Sequence, residues 1–375
     1  MGRASPAGRA VARSRHSTKV TSAKESGPGT PDVPTPDLSG DIPVAPAEPR
    51  RPALAPATAA ITVVAWIIAG LLALVALGRL AYLDDALDWP YTVLNALTPL
   101  LYLPAYVTLA VAFALRRNLL LILSVLLVAV HLFWAVPEML PGDAQDAAPG
   151  SARLRVMSAN LYYDNGHAER LGAQIRAANP DVLVLVELSP LTLARVRSSG
   201  ALDTYRYREV REREGAFGAA IFSRFPLRDA AAPMVGGAMS LRATVEVDEN
   251  RRFVMYAVHT ISPTSGAFTS RWRQQLTALR HEAQDATLPV LMAGDFNATR
   301  DHRPFRQLVD AGMRDAHDVV GDGWQPTWSA RAVVVPPMLR IDHVLASPAF
   351  AVTGLDVGRD FGSDHLPLIA DLAMR

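Results

Sequence analysis

Asn160, Glu187, His259, Asp295, Asn297, Asp342, Asp364 and His365 sit in short polar strings: SAN, VE, VHT, GDFN, RIDH and SDH. Most of these strings close an apolar run such as LRVM, DVLVLV, FVMYA or LPVLMA. An apolar run of that length, bounded by Asp, Asn or Gly, predicts a buried strand. The polar groups are therefore expected at strand ends. Carboxylates, amides and imidazoles gathered there suit a hard divalent cation and a phosphate, the makings of metal-assisted phosphoester chemistry.

Each group has a specific use. A carboxylate such as Glu187 is costly to bury alone, so it is expected to ligate a divalent metal or to pair with an arginine. Asp295 and Asn297 are two apart and face one side of an extended segment. The carboxylate can orient or activate water and the amide can bind a phosphate oxygen, or the pair can close an Asx-turn. A histidine held by a carboxylate is fixed in tautomer and stabilised as the cation, which suits Asp342 and His365 to base or transition-state duty. His259 supplies a second imidazole for a phosphoryl oxygen, and Asn160 can orient a metal-bound carboxylate or the phosphate. Arg340, two residues before Asp342, is a candidate to share its face and to pair with a phosphate or a carboxylate. His343 points to the opposite face and is expected to be structural. The Trp324 and Trp328 pair in GWQPTW is read as packing under a loop, with contact to lipid or substrate as the alternative.

The elements that position these groups alternate over residues 153–375. LRVMSANLYY, DVLVLVELS and LPVLMAGDFN read as strands, and HAERLGAQIRAANP and TSRWRQQLTALRHEAQ as helices. MSLRATVEV and RRFVMYAVHT read as a hairpin. This mixture predicts an α/β domain with a two-layered sheet core and outer helices.

The 375 residues carry a formal net charge of +1 and no cysteine. No global field draws the chain to nucleic acid, and no basic stripe marks a phosphate-tracking surface, so nucleic acid is the less favoured partner. The missing thiols exclude disulfides, thiolate catalysis and cysteine zinc sites. Residues 1–56 are rich in Pro, Ser, Thr, Gly and Ala and are expected to be a disordered tail. Residues 57–78, 91–115 and 119–136 are apolar and read as three transmembrane helices of a membrane domain spanning 57–136. Pro99 and Pro104 in the second are tolerable there. Residues 137–152 read as a linker. Arg50 and Arg51 precede the first span and Arg116 and Arg117 separate the second and third, whereas Glu138, Asp143 and Asp146 follow the third. Positive residues favour the cytoplasmic side. The tail is thus expected inside, and the domain at 153–375 outside the membrane.

Taken together, MSANL, VE, VHT, GDFNA, RIDHVL and SDHLP resemble the endonuclease/exonuclease/phosphatase superfamily, whose fold is DNase I-like. The resemblance covers residues 153–375. It implies a four-layered α/β sandwich and a divalent metal, Mg²⁺ or alternatively Mn²⁺ or Ca²⁺. It also implies Glu187 as metal ligand with help from Asn160, and Asp364 supporting the metal or phosphate end. Asp295 and Asn297 would position water and phosphate, with His259 and His365 flanking phosphorus and Asp342 paired to His365. DNA-repair members often carry Asp where Tyr162 stands, and many members carry Gln where Val186 stands, which weakens a nuclease reading. Three spans before such a domain resemble the bacterial membrane-anchored subgroup that includes VanJ-type glycopeptide-resistance proteins. That resemblance implies a multi-pass protein of the bacterial cell membrane, partnered by the bilayer and a phosphorylated lipid. The implied activity is hydrolysis of a lipid-linked phosphate or pyrophosphate at the outer leaflet, with a tethered nuclease or a phospholipid phosphodiesterase as the alternatives.

Overall fold

The run Val182–Val186 is buried at all five positions, as expected of a strand covered on both faces. The computed structural model describes residues 54–83, 87, 89–140, 146–321, 323–330 and 337–375. It shows what covers that strand. One six-stranded sheet contains β1 (Ala152–Asn160), β2 (Val182–Val186), β3 (Tyr207–Arg211), β4 (Ala219–Ser223), β13 (Phe350–Val357) and β14 (Leu368–Met374), in the order β13-β14-β1-β2-β4-β3. The other contains β5 (Leu227–Ala231), β8 (Leu241–Glu246), β9 (Arg252–His259), β10 (Val290–Asp295), β11 (Arg314–Asp315) and β12 (Asp342–Ala346), in the order β11-β12-β10-β9-β8-β5. A ribbon of β6 (Met234–Val235) and β7 (Ala238–Met239) stands apart.

The inner faces meet in one apolar core, with Val156 and Val184 from the first sheet and Met255, Leu291 and Ala293 from the second. Phe253 and Phe350 pack edge to face across it, centroids 5.3 Å apart. Outside the first sheet, α6 (Leu171–Ala178) and α7 (Pro190–Ser198) cover Leu183 and Leu185 with Leu171, Ile175 and Leu193. Outside the second, α8 (Gly266–Asp285) and α9 (Arg303–Asp310) cover Val258 and Met292 with Trp272, Leu276 and Phe305. A short α10 (Ala316–Val320) precedes β12. The result is the α/β, four-layered DNase I-like sandwich.

Two parallel pairs set the site. β1 runs beside β2 with Asn160 opposite Val186, and β9 beside β10 with His259 opposite Asp295. β12 enters antiparallel to β10 and places Asp342 opposite Asp295. Four strand exits and one entry therefore share one end of the sandwich.

Before it stand α1 (Leu54–Leu80), α2 (Trp89–Ala96), α3 (Thr98–Leu101), α4 (Leu103–Ala114) and α5 (Asn118–Met139). The helices α1 and α5 are long and apolar enough to cross a membrane. Ala65, Ala69 and Ala76 of α1 pack with Ala105 and Ala112 of α4 and Leu127 of α5, while Val63, Ile67, Leu74, Phe113 and Phe133 stay exposed. The stretch at 91–115, expected as one span, is bent by 74° between α2 and the helix pair after it. Pro99 cannot donate to the Asn95 carbonyl four residues back and would clash with it. The Thr98 hydroxyl takes that carbonyl instead, at 2.7 Å.

The boundaries shift as well. α1 begins at Leu54, and α5 continues through Pro137 to Met139. The tail at 1–53 and residues 141–145 of the expected linker lie outside the described residues.

Candidate active site

Gly294 lets β10 deliver its carboxylate. Its φ is +140°, and a Cβ there would come within 2.0 Å of the Val258 carbonyl oxygen, so no larger residue fits beside β9. Asp295, next in the chain, is 1% exposed. Its Oδ1 accepts the Asn297 backbone N–H at 2.7 Å, and its Oδ2 accepts the side-chain amides of Asn297 at 3.2 Å and Asn160 at 3.1 Å. The Asn297 amide also donates to the Thr260 carbonyl at 2.9 Å, tying the end of β10 to the end of β9. Glu187 and Asn297 both sit in the left-handed region, φ +52° and +45°. That conformation costs a residue with a Cβ about 1–2 kcal/mol, which the surrounding hydrogen bonds offset.

Asn160 links the two halves of the site. Its amide nitrogen donates to Glu187 Oε1 at 3.1 Å as well as to Asp295, while its oxygen accepts the Tyr162 N–H at 3.0 Å. The nitrogen faces the carboxylates, so Asn160 is placed to orient them. Glu187 Oε2 accepts the Tyr163 N–H at 3.2 Å. His259 Nε2 lies 3.5 Å from Glu187 Oε1 and 3.8 Å from Asp295 Oδ2.

His365 Nδ1 is 2.8 Å from Asp342 Oδ2, and its Nε2 is 3.7 Å from Asp295 Oδ2. Burial alone would lower the pKa of this imidazole. The Asp342 and Asp295 carboxylates outweigh it and push the pKa up to about 10, so the ring is held as the cation. Asp295 is raised to about 6, mainly by burial and also by Asp342, with His365 opposing.

Glu187, His259, Asp295, Asn297 and His365 line a cavity of about 350 Å³ together with Phe217, Trp328 and Asp364. Among the described residues, none of those lining it is lysine or arginine. An acidic cavity of this kind repels a phosphate unless a cation intervenes. Ligand atoms of Glu187, His259 and Asp295 lie within 4.8 Å of one another, as do those of Asp295, Asp342 and His365. The Glu187 and Asp295 carboxylates of the first group fit a divalent ion better, because the second would have to break the short Asp342–His365 bond and displace a proton from the imidazole. Asp364 Oδ1 is also buried without a partner.

Seven of the expected site residues thus converge: Asn160, Glu187, His259, Asp295, Asn297, Asp342 and His365. Asp364 stands on the cavity wall. Arg340 does not belong to the cluster. It is 3% exposed, and its guanidinium pairs with Glu138 of α5 at 2.8 Å and with Asp318 at 3.5 Å. Of its two expected partners it takes carboxylates, and away from the cavity: β12 begins only at Asp342, so strand alternation does not extend back to Arg340.

Trp328, expected to pack under a loop, lines the cavity, and its indole donates to Asp364 Oδ2 at 3.2 Å. Phe217, half-exposed on the cavity rim, carried no sequence signal. His343 is structural, bonded to Asp315 at 2.8 Å and to the Ala298 carbonyl at 2.9 Å.

The loop after Asn297 is bonded to the apolar helices. Asp301 pairs with Arg79 of α1 at 2.8 Å, and its carbonyl accepts the Asn95 amide at 3.0 Å. His302 Nε2 reaches the Thr92 carbonyl at 3.0 Å.

The model of the Endonuclease/Exonuclease/phosphatase family matches residues 157–365, more than half of the chain. No curated protein matches. Similar solved structures include an endonuclease/exonuclease/phosphatase from Beutenbergia cavernae DSM 12333, with 24% identity, 59% of this chain and 72% of that chain covered, and a TM-score of 0.47. A 3′ phosphatase, NExo, from Neisseria, bound to product DNA hairpin, has 21% identity, 58% and 98% coverage and a TM-score of 0.47. An AP endonuclease from Archaeoglobus fulgidus has 16% identity, 58% and 98% coverage and a TM-score of 0.47. The chain belongs to the endonuclease/exonuclease/phosphatase family and is a metal-dependent phosphoesterase.

Proposed function

We propose that this phosphoesterase is anchored in a bacterial membrane and hydrolyses a lipid-linked phosphate or pyrophosphate at the outer leaflet, as the VanJ-type resemblance implies. The observation that carries this reading is the 2.8 Å Arg79–Asp301 pair, which ties the loop after Asn297 to the end of the first long apolar helix. Arg79 also donates to Thr98 at the start of α3, and Glu138 at the end of α5 pairs with Arg340. The C-terminal ends of α1 and α5 therefore lie at the catalytic domain. The Arg116 and Arg117 turn, between α4 and α5, lies at the opposite end of the bundle. Lys and Arg favour the cytoplasm, which supports a catalytic domain on the outside.

Glu187 and Asp295 would hold a divalent cation, Mg²⁺ by preference, with Asn160 orienting both and Asp364 supporting from the wall. When bound, the cation supplies charge neutralisation for the phosphoryl oxygens and the leaving oxygen. Asp295, braced by Asn160 and Asn297, orients a water for in-line attack and accepts its proton. The protonated His365, held by Asp342, donates to a phosphoryl oxygen, as does His259, and these bonds strengthen as charge builds. The new P–O bond forms as the bond to the lipid-side oxygen breaks.

The test is full-length protein in nanodiscs, offered a polyprenyl pyrophosphate and plasmid DNA in parallel. Metal-dependent phosphate release from the lipid supports the reading. Nicking of the plasmid without lipid turnover refutes it and favours a tethered nuclease.

A further inference from the structure

Exposed carbon is not spread evenly over the catalytic domain. Among its described residues, five large apolar or aromatic side chains are exposed: Tyr163, Leu191, Phe217, Met234 and Phe268. Scattered singly they would mean nothing, but gathered on one face they mark a contact surface. All five stand at the end where the strands deliver the site. The Tyr163 N–H donates to Glu187, and its carbonyl accepts the hydroxyl of Ser189, two residues before Leu191 in the first turn of α7. Phe217 and Phe268 line the acidic cavity, and the Phe217 ring lies 6.2 Å from that of His259. Met234 belongs to the β6–β7 ribbon, which leads into β8, where Leu241 pairs with Ala257, two residues before His259. The opposite end, marked by the exposed Glu249 in the β8–β9 turn, carries none among the described residues.

The same end meets the apolar bundle. Besides the Arg79–Asp301 and Glu138–Arg340 pairs, Arg273 of α8 donates to the Leu87 carbonyl, between α1 and α2, at 2.6 Å. At this junction the bundle exposes Tyr82, Leu87 and Trp89, and Tyr and Trp favour the membrane–water interface. The Arg303 guanidinium lies 4.3 Å over the Tyr82 ring, which joins that interfacial ring to the catalytic domain. The loop before Phe217 alternates Arg211, Glu212, Arg213 and Glu214, all exposed, so the rim carries apolar groups without a net charge of its own.

We infer that the catalytic domain docks on the lipid surface through this rim, with Leu191, Phe217, Met234 and Phe268 entering the interfacial zone of the leaflet beside the bundle. The inference rests on the membrane-anchored reading above and goes beyond it. The anchor only tethers the domain, whereas the rim fixes its orientation and sets the mouth of the acidic cavity against the leaflet. Continuity carries the choice of partner: the rim and the Tyr82 and Trp89 ring belong to one end of the molecule. Burial of apolar side chains in the headgroup and acyl boundary stabilises such a contact. With Arg and Glu balanced in the rim loop, the contact does not depend on anionic headgroups.

The chain has no cysteine, so single cysteines can be labelled without background. Full-length protein carrying Leu191→Cys or Met234→Cys, beside the first and second sheets respectively, takes an environment-sensitive fluorophore at that position. It is placed in nanodiscs whose lipids carry a nitroxide quencher on an acyl chain. Glu249→Cys at the far end and Phe133→Cys on the exposed face of α5 are the references. Quenching at Leu191, Met234 and Phe133 is expected to exceed that at Glu249 by at least about twofold, equally in zwitterionic and in partly anionic nanodiscs. Phe133 quenched while Leu191 or Met234 stays at the Glu249 level would overturn the docking and leave the anchor standing. Rim quenching that appears only with anionic lipid would overturn it too, because charge and not apolar insertion would then hold the domain. No quenching at Phe133 would overturn the anchored reading, and the docking would fall with it.

Discussion

Arg79, at the end of the first apolar helix, and Asp301, four residues after Asn297, form a buried 2.8 Å ion pair. Their side chains are 9% and 6% exposed, so neither charge has much water to fall back on. The pair spans more than two hundred residues of sequence and ties the first long apolar helix to the loop that follows Asn297.

Removing one partner leaves the other buried and uncompensated. Arg79→Met is expected to cost about 3–5 kcal/mol and to lower the thermal midpoint in detergent micelles. Arg79→Met combined with Asp301→Leu should recover much of that loss, because two apolar groups can replace a buried pair at little net cost. Strictly additive losses in the double variant would show that the two residues are not coupled.

The Asp342–His365 bond fixes which ring nitrogen faces phosphorus. Asp342→Asn removes the charge that keeps His365 protonated, and kcat should drop by on the order of 10² or more, with KM changing less. His365→Ala should match it, and the double variant should be no worse than either alone. Full activity in Asp342→Asn would remove the imidazolium from the account.

Much of this was legible in the sequence because buried strands must end somewhere. Asn160, Glu187, His259 and Asp295 each follow an apolar run, and the parallel pairing of β1 with β2 and β9 with β10 carries those exits to one end. Other features depend on long-range partners that no local pattern encodes. Arg340 was expected to share a face with Asp342, yet its guanidinium finds Glu138 on α5. The expected second span runs as bent helices, and besides Pro99 the Thr92 and Asn95 contacts with the loop at Asp301 and His302 accompany that bend. Phe217 reaches the cavity rim from a loop with no pattern of its own.

A separate pH dependence follows from Asp315. Burial alone would raise its carboxyl, but the contact with His343, aided by Arg340, holds it below its ordinary value of 3.8. A carboxyl depressed in the folded state adds stability that is present above its unfolded value and is lost as pH falls through the folded one. Asp315→Asn should therefore lower the thermal midpoint at neutral pH, and the gap from the unmodified protein should narrow below about pH 4. A gap that stays constant from pH 7 to about pH 3 would show that the ion pair contributes nothing.

The central claim is that strand ends far apart in sequence hold one divalent cation against a phosphorus atom, with Glu187 as a principal ligand. The most direct measurement is a Mg²⁺ titration of phosphate release by full-length protein and by Glu187→Gln after chelator treatment. The account predicts no activity without the ion, recovery on adding it, and a Mg²⁺ requirement at least about tenfold higher in the variant, with a lower maximal rate. Turnover that survives the chelator, or a variant whose titration overlays that of the unmodified protein, would contradict it.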